Sequence, residues 1–196
     1  GFNDLTGIDL EGEQSGRVPT DSWKRKYFAD YPYEAYFKGG DFANIMIGQG
    51  YVLTSPFQLA VAYGGISTGK LVKPHLLEEV KNTSGNTINK FQTEVVSDVD
   101  VRKENLDVIR EGLHQVVRGS SCYPSFSKFD FFDCAGKTGT AEIAAHQDAG
   151  VFAGYAPFEN PCYVISIFME ESGGSETAVP IAAEMLNYCV KLEEGT

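Results

Sequence analysis

Three strand-length runs follow one another between Asp133 and Glu170, and a helical pattern closes the chain behind them. The runs cover about Asp133 to Ala144, Gly150 to Tyr155 and Cys162 to Glu170, with Asn160-Pro161 as the turn between the last two. A helix is expected from about Glu176 to Leu192. Pro180 falls in its first turns, where the N–H that proline lacks costs least. Helices and loops, then a β-meander, then a helix describe an α+β fold, with an antiparallel sheet packed by helices.

The upstream half supplies those other helices. Ser55-Pro56-Phe57-Gln58 carries a capping residue, proline at the first helical position and glutamine three after the cap. A helix is expected from Pro56 to Ser67, with Leu59, Ala60, Ala62, Tyr63 and Ile66, and with Gly64, Gly65 and Gly69 weakening its end. Leu76 to Asn82 and Thr87 to Val95 flank Thr83-Ser84-Gly85-Asn86, which is turn chemistry, so a β-hairpin is expected. A second helix should span about Val101 to Arg118, where Leu106, Ile109, Leu113, Val116 and Val117 make one apolar stripe. Residues 1 to 50 read as loops with short helical turns, one of them capped at Thr20-Asp21-Ser22 and running through Trp23 and Tyr27. Residues 120 to 132 read as an aromatic-rich loop.

The length of 196 residues suits one domain, and the net charge of −11 repels polyanions, so nucleic acid is not an expected partner. Lys24-Arg25-Lys26 is the one dense basic run, and such runs are ordinarily solvated faces. No apolar run reaches the roughly 18 residues that span a membrane. The opening Gly1-Phe2-Asn3-Asp4-Leu5 has no initiator Met and reads like the middle of a longer protein. Four cysteines, Cys122, Cys134, Cys162 and Cys189, allow three pairings if all are bridged, and buried thiols are the slightly better reading.

The sharpest local feature is Gly136-Lys137-Thr138-Gly139-Thr140 on the first strand of the meander. Alternate residues share a face of a strand, so Lys137 and Gly139 point one way and Thr138 and Thr140 the other. Glycine lets a ligand approach the backbone closely. A peptide could lie along this strand, with its carboxylate held by hydroxyls and ammonium. A Walker A loop would need glycine at position 131, which is Phe131, and a helix after the lysine, where Ala141-Glu142-Ile143 continues a strand.

Other patterns are decoys. Gly65-Ile66-Ser67-Thr68-Gly69 matches G-x-S-x-G, yet a helix precedes it and Pro74 argues against one after it, the inverse of a nucleophile elbow. Ser67…Lys70 and Ser125…Lys128 match S-x-x-K, but the first sits at a ragged helix end and the second in a loop. Ser84-Gly85-Asn86 matches S-x-N and is better explained as a turn. H-E-x-x-H is not present; His75, His114 and His146 are far apart, and no metal site or cofactor is expected. His146 lies nearest Lys137 in sequence.

Several segments in order resemble the class B penicillin-binding proteins of the elongation type, penicillin-binding protein two. They are Thr6-Gly7-Ile8-Asp9-Leu10 with Glu13 and Gly16; Gly40-Asp41, Asn44 and Ile47-Gly48-Gln49-Gly50-Tyr51; Thr54 to Ala60; Pro74-His75-Leu76; Gly136 to Glu142; and Phe152 to Pro157. Glu11 stands where that family usually has proline. The resemblance implies that residues 1–196 are the C-terminal portion of a transpeptidase domain, a penicillin-binding and serine β-lactamase-like fold with a five-stranded sheet between helical layers. Of the S-x-x-K, S-x-N and K-T-G set only the last is matched, by Lys137-Thr138-Gly139. By family order the others, with the first two strands and the nucleophile helix, precede Gly1. That leaves a sheet edge without its natural partner.

The resemblance further implies D,D-transpeptidase chemistry in the parent. A serine attacks the D-Ala-D-Ala bond of a peptidoglycan stem peptide, D-Ala leaves, and an amine of a second stem peptide resolves the acyl-enzyme. β-Lactam antibiotics imitate the D-Ala-D-Ala end. Lys137 and Thr140 would be catalytic, the first through its charge and the second through an oxyanion N–H worth about 3 kcal/mol. Thr138 and Gly139 would bind substrate, with Gln49 and Asp41 shaping the cleft wall. The parent would be extracytoplasmic, anchored to the cytoplasmic membrane by an N-terminal segment, and would work with other cell-wall elongation proteins. The fragment alone should be silent. The alternatives are a serine hydrolase using Ser67, or a non-catalytic interaction module built on the same fold.

Overall fold

The computed structural model describes residues 1–119, 122–130, 133–143 and 146–194. Its centre is an antiparallel meander of β5 (Ala135–Ala141), β6 (Ala149–Ala156) and β7 (Tyr163–Met169). Two two-stranded ribbons stand apart from it, β1 (Lys70–Lys73) with β4 (Glu94–Asp98) and β2 (Glu79–Lys81) with β3 (Thr87–Lys90). Among the described residues six helices accompany them: α1 (Asp21–Tyr27), α2 (Gly39–Met46), α3 (Pro56–Thr68), α4 (Lys103–Gly119), α5 (Tyr123–Phe126) and α6 (Ala178–Glu194). The α+β expectation holds, and the meander strands lie within the predicted runs apart from a residue added at each end of β6. The predicted end of the first run at Ala144 lies outside the described residues.

The register divides the meander into two faces. Gly136, Thr138 and Thr140 share one with Phe152, Gly154 and Ala156 and with Ile165 and Ile167. This face meets α6, whose Ala178, Val179, Ala182, Ala183, Leu186 and Val190 are buried against Phe152 and Ile165. Phe126 of α5 and Val117 of α4 complete the core. Burial of a side chain such as Leu186 or Phe152 contributes about 2 kcal/mol each. Gly136 is required here, because a Cβ would come within 2.8 Å of the Ala153 carbonyl and strike the Phe152 ring. The other face carries Lys137 and Gly139 with Val151, Ala153 and Tyr155, and α3 packs on it beside Val164.

α3 forms where its capping signals place it. The Ser55 hydroxyl accepts from Gln58 N at 3.1 Å, and Gln58 Oε1 accepts from Ser55 N at 3.2 Å. Gly69 ends the helix in the left-handed region (φ 76°), its N–H returned to the Gly65 carbonyl at 2.8 Å. The Gln58 side chain is fully buried, and its Nε2 reaches the carbonyls of Gly1, Asp4 and Ser15 at 3.2, 3.1 and 2.8 Å. Other polar side chains stitch the same N-terminal stretch: Glu13 accepts from Thr6 N and Gly7 N, and Asp9 accepts from Leu76 N and Leu77 N. The motif residues Asp9, Glu13 and Gln58 are therefore architectural.

The predicted hairpin is partly corrected. Its turn stands, with Asn82 Oδ1 accepting from Ser84 N and Asn86 N, but its arms end at Glu78 and Phe91. Val95 belongs instead to β4, which pairs with β1 and continues through Val99 N to the Gly69 carbonyl. Every residue of β2 and β3 is exposed, so nothing apolar rewards a longer hairpin, whereas the β1–β4 ribbon is tied to the end of α3. Residues 123–126 of the predicted aromatic loop form the short α5. No disulfide joins the cysteines; Cys122 and Cys134 lie in the core, and burial pushes the Cys134 thiol up to about 12, but Cys162 is exposed and Cys189 half-buried, so the reading of four buried thiols holds for two.

Candidate functional site

β5 pairs with β6 on one side only, so its other edge is open. Lys137, Thr138, Gly139 and Thr140 lie in the middle of this edge strand. In an antiparallel strand the N–H and C=O of one residue point the same way. Gln49 Nε2 donates to the Thr140 carbonyl at 3.1 Å from outside the sheet, so Thr140 turns its main-chain groups to the open edge. Thr138, two residues earlier, does the same. The Lys137 side chain is exposed and bends over this edge, its Nζ 3.1 Å from the Thr138 carbonyl and 3.3 Å from Thr138 Oγ1. Among the described residues Lys137 makes no ion pair.

A cavity of about 630 Å³ opens at the C-terminal end of β5, lined by Asn44, Ile47, Gln49, Gly50, Glu142, Ile143 and Asp148. One wall is α2 and the loop after it. That loop is set by Asn44, whose carbonyl accepts the N–H of Ile47 and of Gln49 at 3.2 and 2.8 Å. The arrangement provides the outward main-chain N–H groups of Thr138 and Thr140, a hydroxyl, an ammonium with no counter-ion among the described residues, and open volume. These are the parts needed to hold an extended peptide by strand addition and to receive its carboxylate.

Asp41 lies behind this wall. Its carboxylate is bonded to Lys24 Nζ and accepts Lys38 N at 2.8 Å. The Lys24 hydrogen bond first, then the Lys38 N–H, hold its pKa below the ordinary 3.8. Lys24 itself corrects the reading of the basic run as a solvated face. Arg25 and Lys26 are exposed, but Lys24 is fully buried, with its ammonium 4.9 Å from the Phe37 ring centre, 5.0 Å from Tyr51 and 5.9 Å from Phe28. Of these three rings Phe28 alone is a near neighbour of Lys24 in sequence.

Ser67 and Ser84 fall where their contexts indicated, whereas Ser125, expected in a loop, lies in a short helix. Ser67 is 2% exposed and its hydroxyl donates to the Gly64 carbonyl at 2.9 Å, inside α3, so it is no nucleophile elbow. Ser84 lies in the hairpin turn, and Ser125 lies in α5 with its N–H on the Cys122 carbonyl. His146 Nδ1 is 2.9 Å from Glu171 Oε1 on the surface, and His114 stacks on Phe158 at 4.0 Å. Among the described residues no three metal-ligating side chains gather.

Residues 1–187 match the family model described as the penicillin binding protein transpeptidase domain. The peptidoglycan D,D-transpeptidase MrdA of Haemophilus influenzae is 28% identical over 96% of the chain, and penicillin-binding protein 2B of Streptococcus pneumoniae 29% identical over 97%. The penicillin-binding protein PBP2 of Helicobacter pylori, solved in complex with MreC, superposes with a TM-score of 0.80 at 30% identity over 98% of this chain and 34% of its own. PBP2 of Pseudomonas aeruginosa, solved with WCK 5153, gives 0.75 at 26% identity over 92% of this chain and 39% of its own. The chain spans about a third of the length of the curated relatives, 31% of the Haemophilus protein and 28% of the Streptococcus one. With its edge strand, its cleft and its collinear motifs, the chain belongs to the penicillin-binding protein transpeptidase domain family.

Proposed function

We propose that this chain is the C-terminal portion of the transpeptidase domain of a peptidoglycan D,D-transpeptidase, working with a nucleophile segment of a longer polypeptide. The observation that carries the reading is the open edge of β5, where Lys137 has no ion-pair partner among the described residues and Thr140 faces outward. A stem peptide ending in D-Ala-D-Ala lies antiparallel to that edge. Thr138 and Thr140 hold its carboxylate, Gly139 admits its backbone, and the Thr140 N–H donates to the oxyanion. Lys137 raises the local positive potential, which favours carboxylate binding and activation of a serine–lysine pair. Asp41 shapes the cleft through α2, and Gln49 forms its rim.

The same groups fit β-lactam antibiotics, which present a carboxylate beside a strained acyl bond. The protein acts outside the cytoplasmic membrane, held there by an N-terminal anchor, among other cell-wall elongation proteins. The full-length protein should take a covalent label from a fluorescent penicillin at a serine outside this chain, and the isolated chain should take none. Full-length protein without label, or label on Ser67, overturns the reading. Labelling at Ser67 is disfavoured because its hydroxyl is buried.

A further inference from the structure

The Gln49 contact leads back to a group remote from the strand. Gln49 is held between two fixed points, Asn44 before it and Tyr51 after it. The Tyr51 carbonyl accepts from Arg17 Nε at 2.7 Å. The Tyr51 ring lies 5.3 Å from Trp23, 5.8 Å from Phe28 and 5.0 Å from the Lys24 ammonium. Asn44 belongs to α2, whose N-terminal turn is pinned because Asp41 takes both Lys24 Nζ and Lys38 N. Lys24 thus touches both sides of the Gln49 loop, the helix that enters it and the aromatic residue that leaves it. A fully buried ammonium is costly unless it is paired, so its bond to Asp41 ties it to α2.

We propose that Lys24 is a positioning residue for the substrate strand. Through Asp41 and Tyr51 it fixes Gln49, and Gln49 fixes the Thr140 carbonyl, so that the Thr140 N–H is presented at one place on the open edge. This rests on the transpeptidase reading above. The lysine touches no substrate; it acts through a neutral carboxamide 25 positions further along the chain.

The test is a double-mutant cycle in the full-length protein, read as the acylation rate constant for a fluorescent penicillin. Gln49→Ala should slow acylation about tenfold, the loss of one well-placed hydrogen bond. Phe37→Leu, which removes one ring facing Lys24 and leaves the ion pair, should slow it severalfold. Lys24→Met/Asp41→Asn, chosen so that no charge is left unpaired, should slow it about tenfold. Combined with Gln49→Ala, either variant should be no slower than Gln49→Ala alone. The non-covalent dissociation constant of the penicillin should change less than twofold, because the loss falls on the acyl-transfer step. Fold-losses that multiply across the cycle, or a Lys24→Met/Asp41→Asn protein that acylates at the parental rate, overturn the proposal. Failure of the transpeptidase reading is distinguishable, because the parental protein would then take no label at all.

Discussion

Two lysines of this chain illustrate opposite uses of one ammonium group. Lys24 is fully buried, bonded to Asp41 and ringed by Phe28, Phe37 and Tyr51. Lys137 is exposed at an open strand edge, and among the described residues its hydrogen bonds go to Thr138, its neighbour on the same strand. A charge enclosed by partners has no capacity left for a ligand, and its removal harms the fold. A charge without a counter-ion is available to an incoming carboxylate, and its removal harms function and leaves the fold intact. Chemical type alone cannot distinguish them; what each ammonium touches can.

The largest effect expected is on stability. Lys24→Met strands the Asp41 carboxylate and should destabilise the chain by about 3 kcal/mol in urea unfolding, whereas Lys137→Met should stay within about 0.5 kcal/mol. Equal losses for the two would abolish the contrast. In the full-length protein the order inverts for chemistry: Lys137→Met should slow penicillin acylation about a hundredfold, near 3 kcal/mol of transition-state stabilisation.

A smaller effect sharpens the Lys24 side. Asp41 titrates below its ordinary 3.8 in the folded chain, so its contribution is complete above about pH 4 and is lost as pH falls through the lower folded value. A carbon-detected NMR titration should place its midpoint below 3.8 in the parent and higher in Lys24→Met. The smallest effect belongs to Ser67→Ala. The Gly64 carbonyl keeps the Thr68 hydroxyl at 2.8 Å, so stability should change by about 0.5 kcal/mol and penicillin labelling not at all. Lost labelling in that variant would revive the hydrolase reading.

What could be read from the sequence was what is local. α3 is announced within four residues by Ser55, Pro56 and Gln58, and the bonds those residues make are the ones their types require. β5 was legible because its motif continues a strand-like run. The β1–β4 ribbon was not. Its strands have four and five residues, meet across more than twenty positions and shift register between Leu71 and Val72, so no period marks them. α2 lies in the stretch read as loops with short helical turns, and no side-chain cap from its N-cap residue, Lys38, marks its start.

The site divides in the same way. Lys137 to Thr140 stood out as a motif, but the enclosure of Lys24 depends on Phe37, Asp41 and Tyr51, which reach it only in three dimensions. A run of three basic residues gives no sign that one of them turns inward. The bond from Gln49 to Thr140 crosses 91 positions, and a resemblance could single out Gln49 without revealing what it holds.

Gln58 gathers carbonyls from Gly1, Asp4 and Ser15, so a stretch with little regular secondary structure is moored at the foot of α3. A protease must draw locally opened chain into its cleft, and this mooring opposes the opening. Limited digestion should therefore spare the first fifteen residues for as long as α3 stays wound, and the two should be lost together.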